Sequence, residues 1–259
     1  MCLIAVAYLA HPDRPLVVAA NRDEAYARPS LQAHFWDEHP LVLAGRDLEA
    51  GGTWLGIDRG GRFAAITNFR EAGAHRKDAP SRGPLVSDFL CQQTPAADYL
   101  QQIASRAQAY NGFNLLLLDD TGLYYFSNRT AAADSAPRRL APGVYGLSNH
   151  LLDTPWPKVV LAKQGFARAV DAGEPLESMA EILRDTEIAP DNILPATGMS
   201  ADRERLLSPI FIASEIYGTR CSTLLEISSA RRARFVERNF GSGGVSGGAV
   251  EYRFDLTPA

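Results

Sequence analysis

The sequence predicts an α+β domain, and three observations lead there. Short apolar runs rich in Val, Ile and aromatic residues crowd the first 70 residues and return near the end of the chain. Helical signals cluster between them. Connections within each group are short and of the glycine-bearing hairpin kind. Strands, then helices, then strands argue for layered α+β rather than alternating βαβ units. One domain spanning residues 1–259 is expected, because no internal repeat and no linker-like composition divides the chain.

The elements follow in order. Leu3 to Leu9 and Leu16 to Ala20 read as two strands joined by His11-Pro12-Asp13-Arg14-Pro15, all turn-compatible types. Thr53 to Ile57 and Arg62 to Thr67 flank Asp58-Arg59-Gly60-Gly61, where glycine admits the positive φ of a hairpin turn. Phe113 to Leu118 and Leu123 to Phe126 flank Asp119-Asp120-Thr121-Gly122 in the same way. Late strands are expected over Thr223 to Ile227, Ala233 to Arg238 and Val250 to Phe254.

For helices, Pro155 to Ala172 carries an apolar stripe at Val159, Ala162, Phe166 and Val170. Thr154 stands at its cap, Pro155 in its first turn, and Gly173 ends it. A second helix is expected from Leu176 to Arg184, and one or two between Leu85 and Ala107. Ala131 to Pro142 and Glu187 to Arg203 read as surface connections or a lid.

Composition narrows the function. With 46% hydrophobic and 22% charged residues the chain is an ordinary globular sequence, not a disordered or fibrous one. A net charge of -4 gives no electrostatic footprint for nucleic acid or an anionic membrane, so neither is expected as a partner. Three scattered cysteines form neither a disulfide framework nor a zinc motif and suit a reducing compartment. The apolar run from Met1 to Ala10 is half the roughly 20 residues a bilayer span needs. It also lacks a basic segment before it, as a secretory signal would have. No membrane span and a cytoplasmic location are expected.

Two motifs mislead. Gly244-Val245-Ser246-Gly247-Gly248 matches the serine-hydrolase elbow, but no histidine lies downstream of His150, and five glycines between 241 and 248 disfavour the required helix. A loop between strands is expected there. His34-Phe35-Trp36-Asp37-Glu38-His39 has no metal-site spacing, and Pro40 breaks any shared helix face. No metal is expected.

Cys2 is the residue with chemistry. If Met1 is removed, its thiol stands beside a free α-amine, and one residue supplies both nucleophile and base. The alternative is a small apolar residue at a strand start. Asn21-Arg22-Asp23-Glu24 follows the second strand, and a hairpin between the first two strands would return it to Cys2. Asp23 would then stand near the α-ammonium and Arg22 would favour the thiolate; the alternative is a solvated turn.

These residues carry a resemblance. Asn21-Arg22-Asp23-Glu24 is the signature of the NRDE family, the Transport and Golgi organization protein 2 family. Cys2, Arg28-Pro29-Ser30, Gly51-Gly52-Thr53-Trp54-Leu55-Gly56, Thr67-Asn68 and Tyr110-Asn111-Gly112-Phe113-Asn114 resemble further family segments. So do Tyr145-Gly146-Leu147-Ser148-Asn149, Thr154-Pro155-Trp156 and Tyr217-Gly218-Thr219-Arg220, in the family's order.

The resemblance implies an Ntn-hydrolase-like (N-terminal nucleophile) fold, a four-layer αββα sandwich. It also implies a distant similarity to the cysteine Ntn amidases of the penicillin V acylase and bile salt hydrolase group. By that similarity Cys2 is the nucleophile, Asp23 the aspartate, Asn68 and Asn149 the oxyanion asparagines, and Arg220 the late arginine. The amidase arginine stands three residues before its aspartate, whereas Arg22 is adjacent to Asp23, so alternation would put these two on opposite faces.

Two functions follow as expectations. One is amide C–N hydrolysis with no required cofactor, Trp54 and Trp156 lining an acyl pocket or simply filling core. The other is non-catalytic carriage of heme or a lipid or acyl-CoA ligand, as family members have been linked to their movement. Cys2 or His150 would then be a heme ligand. The oligomeric state has no signal in the sequence.

Overall fold

A computed structural model describes residues 2–130 and 136–257. They divide into two compact units, each a sheet with helices laid on it. The α+β class is as the sequence predicts.

The first unit comprises Met1–Ala27, Pro142–Ser148 and Leu152–Arg253. Its strands are β1 (Cys2–Tyr8), β2 (Leu16–Ala25), β10 (Gly143–Leu147), β11 (Tyr217–Ile227), β12 (Arg232–Phe240) and β13 (Ser246–Asp255). They lie in the order β10-β1-β2-β11-β12-β13, antiparallel from β10 to β12. The apolar runs of β1 and β2 do not alternate with polar residues because both faces are buried. Leu3, Ala5, Ala7, Val17 and Ala19 pack under helices, while Ile4, Val6 and Val18 are buried on the other face.

Those helices are α3 (Pro157–Asp171) and α4 (Leu176–Ile182). The stripe Val159, Ala162, Phe166 and Val170 faces the sheet as its spacing requires. The helix begins two residues later than expected: Pro157, not Pro155, takes the first turn, and Trp156 stands at the cap. Gly173, at φ +64°, ends it, and the Glu174 N–H reaches back to Ala169 O at 2.9 Å. A Cβ on Gly146 would meet Val159 Cγ1 at 2.8 Å, so glycine there permits the close approach of α3 to β10.

The second unit comprises Arg28–Ala141, Asn149–Leu151 and Phe254–Ala259. Seven strands follow one another in chain order: β3 (Ser30–Phe35), β4 (Val42–Asp47), β5 (Leu55–Asp58), β6 (Phe63–Asn68), β7 (Phe113–Asp119), β8 (Gly122–Ser127) and β9 (Arg138–Arg139). Both expected hairpin turns are present. Asp58 Oδ1 accepts the Arg62 N–H at 2.9 Å, and Asp119 Oδ1 accepts the Thr121 N–H at 2.9 Å. The helices α1 (Pro84–Cys91) and α2 (Ala96–Arg106) cover one face over a core of Phe89, Leu100, Phe113, Leu115, Leu117 and Phe126.

The structure departs from the expectations where polar residues enter strands. β2 does not stop at Ala20 but runs through Asn21-Arg22-Asp23-Glu24, and β11 starts six residues early, at Tyr217. In place of a loop up to Val250, the glycine-rich stretch forms a short turn over Ser242–Gly244 and then β13. The stretch from Glu187 to Arg203 is not wholly irregular, because Ser200 caps α5 (Ala201–Leu206) by accepting the Arg203 N–H. Likewise β9 lies inside the segment Ala131 to Pro142 read as a surface connection or a lid, of which residues 131–135 lie outside the described residues. No helix among the described residues is long and apolar enough to cross a membrane.

Phe166 and Leu161 sit on the same helix, 0% and 50% exposed. Phe166→Ala is expected to cost about 3–5 kcal/mol in urea unfolding through its cavity, and Leu161→Ala no more than about 0.5 kcal/mol. Similar midpoint shifts for both would contradict this placement of the core.

Candidate functional site

The site in the first unit is set by strand register. Cys2 pairs directly with Arg22, and Arg22 on its other side with Cys221. Residues opposite one another across an antiparallel pair share a face, so these three stand in one row. That face is the one not covered by α3 and α4. Asn21 and Asp23, one residue to either side of Arg22, therefore point to the helix-covered face. Arg22 and Asp23 do face apart, as their adjacency implies, and Arg22 is the one beside Cys2.

Cys2 is half-buried. Burial pushes its thiol up, and the nearby Asp23 carboxylate adds to that; the Arg22 guanidinium and a hydrogen bond from the Asp23 backbone N–H oppose it. The outcome is a raised pKa. The thiol is therefore protonated at neutral pH and needs a base to become a nucleophile.

Asp23 is 1% exposed. Its Oδ1 accepts from Thr219 Oγ1 at 2.8 Å, and the same hydroxyl accepts the Ile212 N–H at 3.0 Å. The Asp23 backbone carbonyl accepts from the Tyr217 hydroxyl at 3.0 Å. Asn21 is purely architectural: its amide donates to Leu183 O at 2.8 Å and Ile210 O at 2.9 Å, and it accepts from Ser222 Oγ at 2.6 Å. Sequence reasoning did not separate this asparagine from the other residues of its motif; its odd position on a strand with an apolar odd face was the available signal. Ser148, given no role of its own in the sequence reading, donates from Oγ to Cys2 O at 2.9 Å.

Arg220 occupies a bulge where the β11–β2 register shifts between Thr219 and Cys221. Bulges re-aim a side chain, and here the guanidinium donates to Ala25 O at 2.9 Å and Tyr26 O at 3.1 Å, fastening the end of β2. Burial lowers its pKa, with Arg22 contributing. The other thiols are suppressed by burial as well. Cys221, which donates to Glu237, is raised well above its ordinary value, and Cys91 is pushed up to about 11.

In the second unit Asn68 closes β6. The Asn149 side chain, 0% exposed, donates to Asn68 O at 2.8 Å, and the Arg70 N–H donates to Asn149 O at 2.7 Å. The His150 ring lies tilted against Phe69 at 4.8 Å between centroids, and burial lowers its pKa. Trp54 packs beside the core of this unit, with its ring over Gly45, and Trp156 belongs to the core under α3. Among the described residues no group of three His, Cys, Asp or Glu side chains is placed to hold a metal ion.

Opposite signs at Cys2 give a test. Arg22→Ala removes a cation that favours the thiolate, so the pH profile of iodoacetamide alkylation at Cys2 should move to higher pH. Asp23→Asn removes an opposing carboxylate, so the profile should move to lower pH. Shifts of the same sign would contradict the arrangement described.

The sequence profile of the Transport and Golgi organisation 2 family matches residues 1–242. The chain is 37% identical over 241 residues to the Transport and Golgi organization protein 2 homolog of Bos taurus, covering 86% of each chain. It is 35% identical over 241 residues to the Homo sapiens homolog, again over 86% of each. Among solved structures, the Caenorhabditis elegans ortholog of N-acylethanolamine-hydrolyzing acid amidase aligns at TM-score 0.48 and 13% identity. That alignment covers 86% of this chain and 92% of the other. A C2A mutant of the conjugated bile acid hydrolase from Clostridium perfringens aligns at 0.46 and 8%, over 99% and 92%. By the extent of the profile match and the identity to its relatives, this chain belongs to the Transport and Golgi organisation 2 family.

Proposed function

We propose that the chain is an N-terminal-nucleophile amide hydrolase whose nucleophile is Cys2, acting once Met1 has been removed. The observation that supports this reading is the setting of the Cys2 sulfur. It is half-buried at a strand start, with a guanidinium in register beside it and a backbone N–H donated to it, yet its pKa is raised. Such a thiol holds its proton until a base takes it, while the guanidinium and the N–H lessen the cost of ionisation. The α-amine of a processed Cys2 is a base of the right strength, at about 7.7–8.0 in an unperturbed chain.

The reaction balances without a cofactor. The amine takes the thiol proton as sulfur attacks the amide carbon. The tetrahedral intermediate collapses, the C–N bond breaks, and the proton leaves with the amine product. Water then attacks the thioester, releases the acid and restores the thiol. In this reading Asp23 steadies the ammonium, and Arg22 favours the thiolate. The family resemblance gives the oxyanion to asparagines, and one such donor is worth about 10²–10³ in rate; within the second unit the Asn149 side chain donates to Asn68 O. Arg220 holds the strand end in shape. A reducing, cytoplasmic setting keeps the thiol available.

The test has two steps. Intact mass of the purified protein should show the loss of one methionine. The processed protein should hydrolyse members of a panel of N-acyl amides, and Cys2→Ala should fold normally yet lose at least about 10³-fold in kcat. Retained Met1, or turnover that survives Cys2→Ala, overturns the reading. Heme or acyl-chain binding by Cys2→Ala, with no amide cleaved by the wild type, replaces it with carriage.

A further inference from the structure

β13 is the last strand of its sheet, with β12 on one side and, among the described residues, no strand on the other. It is ten residues long and exposed over most of that length. An open edge is a row of outward N–H and C=O groups that proteins ordinarily keep short, cover or break. Val250, Tyr252 and Phe254 are half-buried and alternate with exposed Glu251, Arg253 and Asp255. The two sets therefore point to opposite faces of the strand.

The stretch Val250-Glu251-Tyr252-Arg253-Phe254 is complementary to itself when reversed. Antiparallel pairing of two copies about a two-fold axis through Tyr252 sets Glu251 opposite the partner's Arg253, and Arg253 opposite the partner's Glu251. It also sets Val250 opposite the partner's Phe254, and Tyr252 opposite the partner's Tyr252. Neighbouring registers lose this match. An axis through Glu251 or Arg253 puts like charges face to face. An axis between two residues lays the charged row of one copy against the apolar row of the other. The acid is held ready on its own chain: Arg234 Nε donates to Glu251 Oε1 at 2.9 Å, and Arg234 also pairs with Glu177 of α4. Arg253 Nε donates to the same oxygen at 2.6 Å, yet its side chain is 68% exposed and has room to turn to a partner.

We propose that β13 is a dimerisation edge: two copies of this chain pair antiparallel through it, in the register centred on Tyr252, and join their six-stranded sheets into one. The occupant is a second copy rather than an unrelated strand, because the complement of this stretch is contained in the stretch itself. The inference is independent of the chemistry assigned to Cys2.

Sedimentation of the full chain over roughly 1–100 μM should show a concentration-dependent species of twice the mass of one chain. Arg253→Glu sets acid opposite acid on both sides of the axis and should weaken the dimer by at least about tenfold. Glu251→Arg sets base opposite base and should do the same. Mixing these two variants should restore dimers, because each brings the charge the other lacks. Under mild oxidation Tyr252→Cys should form a disulfide between copies, since directly opposed Cα atoms lie about 4.5–5.5 Å apart. Ala249→Cys should not, its two copies being about 20 Å apart in this register. A monomer throughout the range overturns the proposal and leaves the edge to a strand of another protein. A dimer indifferent to both charge variants, a mixture that stays monomeric, or cross-linking at position 249 instead of 252 overturns it as well. If Glu251→Arg, which also loses its Arg234 pair, does not fold, Arg253→Glu and the Tyr252→Cys cross-link decide.

Discussion

The alternation of side chains along β2 is the constraint on which the first unit depends. This strand is paired on both sides, with β1 and with β11, so its register cannot slip without turning every side chain to the wrong face. Three successive residues thereby serve different ends. Arg22 stands beside Cys2, while Asn21 and Asp23 reach the helix-covered face and bind backbone and hydroxyl groups there. Asp23 still touches the thiol through its main chain, whose N–H needs no particular side-chain orientation. One strand thus presents a cation and an N–H to the sulfur while keeping a carboxylate on the other side.

The electrostatics of Cys2 are a balance rather than a simple activation. Burial and a carboxylate hold the proton on; a guanidinium and an N–H ease its departure. A permanently ionised thiolate would be open to oxidation and alkylation by any small reagent. A thiol that keeps its proton is spared that exposure.

Much of the fold was legible because apolar runs and turn residues are local signals. β1, the start of β2, β7, β8 and α3 follow from spacing alone. The polar halves of β2 and β11 were not legible, since a buried polar strand residue is stabilised by partners far along the chain. Asn21 meets Leu183 and Ile210, 162 and 189 residues away. Asn114 is the same case, its acceptors lying 47 and 36 residues off. β3 and β4 escaped notice because charged and histidine residues interrupt their apolar pattern, as in Ser30–Phe35. At the site, Cys2, Arg22 and Asp23 could be named from the motif and the expected hairpin. The sequence could not say which face each would take, because that depends on where β2 ends.

Asn21 also closes a ring. By holding Leu183 O and Ile210 O with one amide, and with Phe211 N–H bonded to Asp185 O at 2.7 Å, the structure pinches the chain at both feet of the excursion that carries α5. Between the two feet, Leu207 O also accepts from Lys158 Nζ of α3 at 2.9 Å. Closure entropy grows only logarithmically with loop length, about 0.6 kcal/mol for each doubling, so segments of quite different length and composition can be hung on the same two feet. The excursion therefore leaves and rejoins the fold at two fixed points, and length added between them costs little closure entropy.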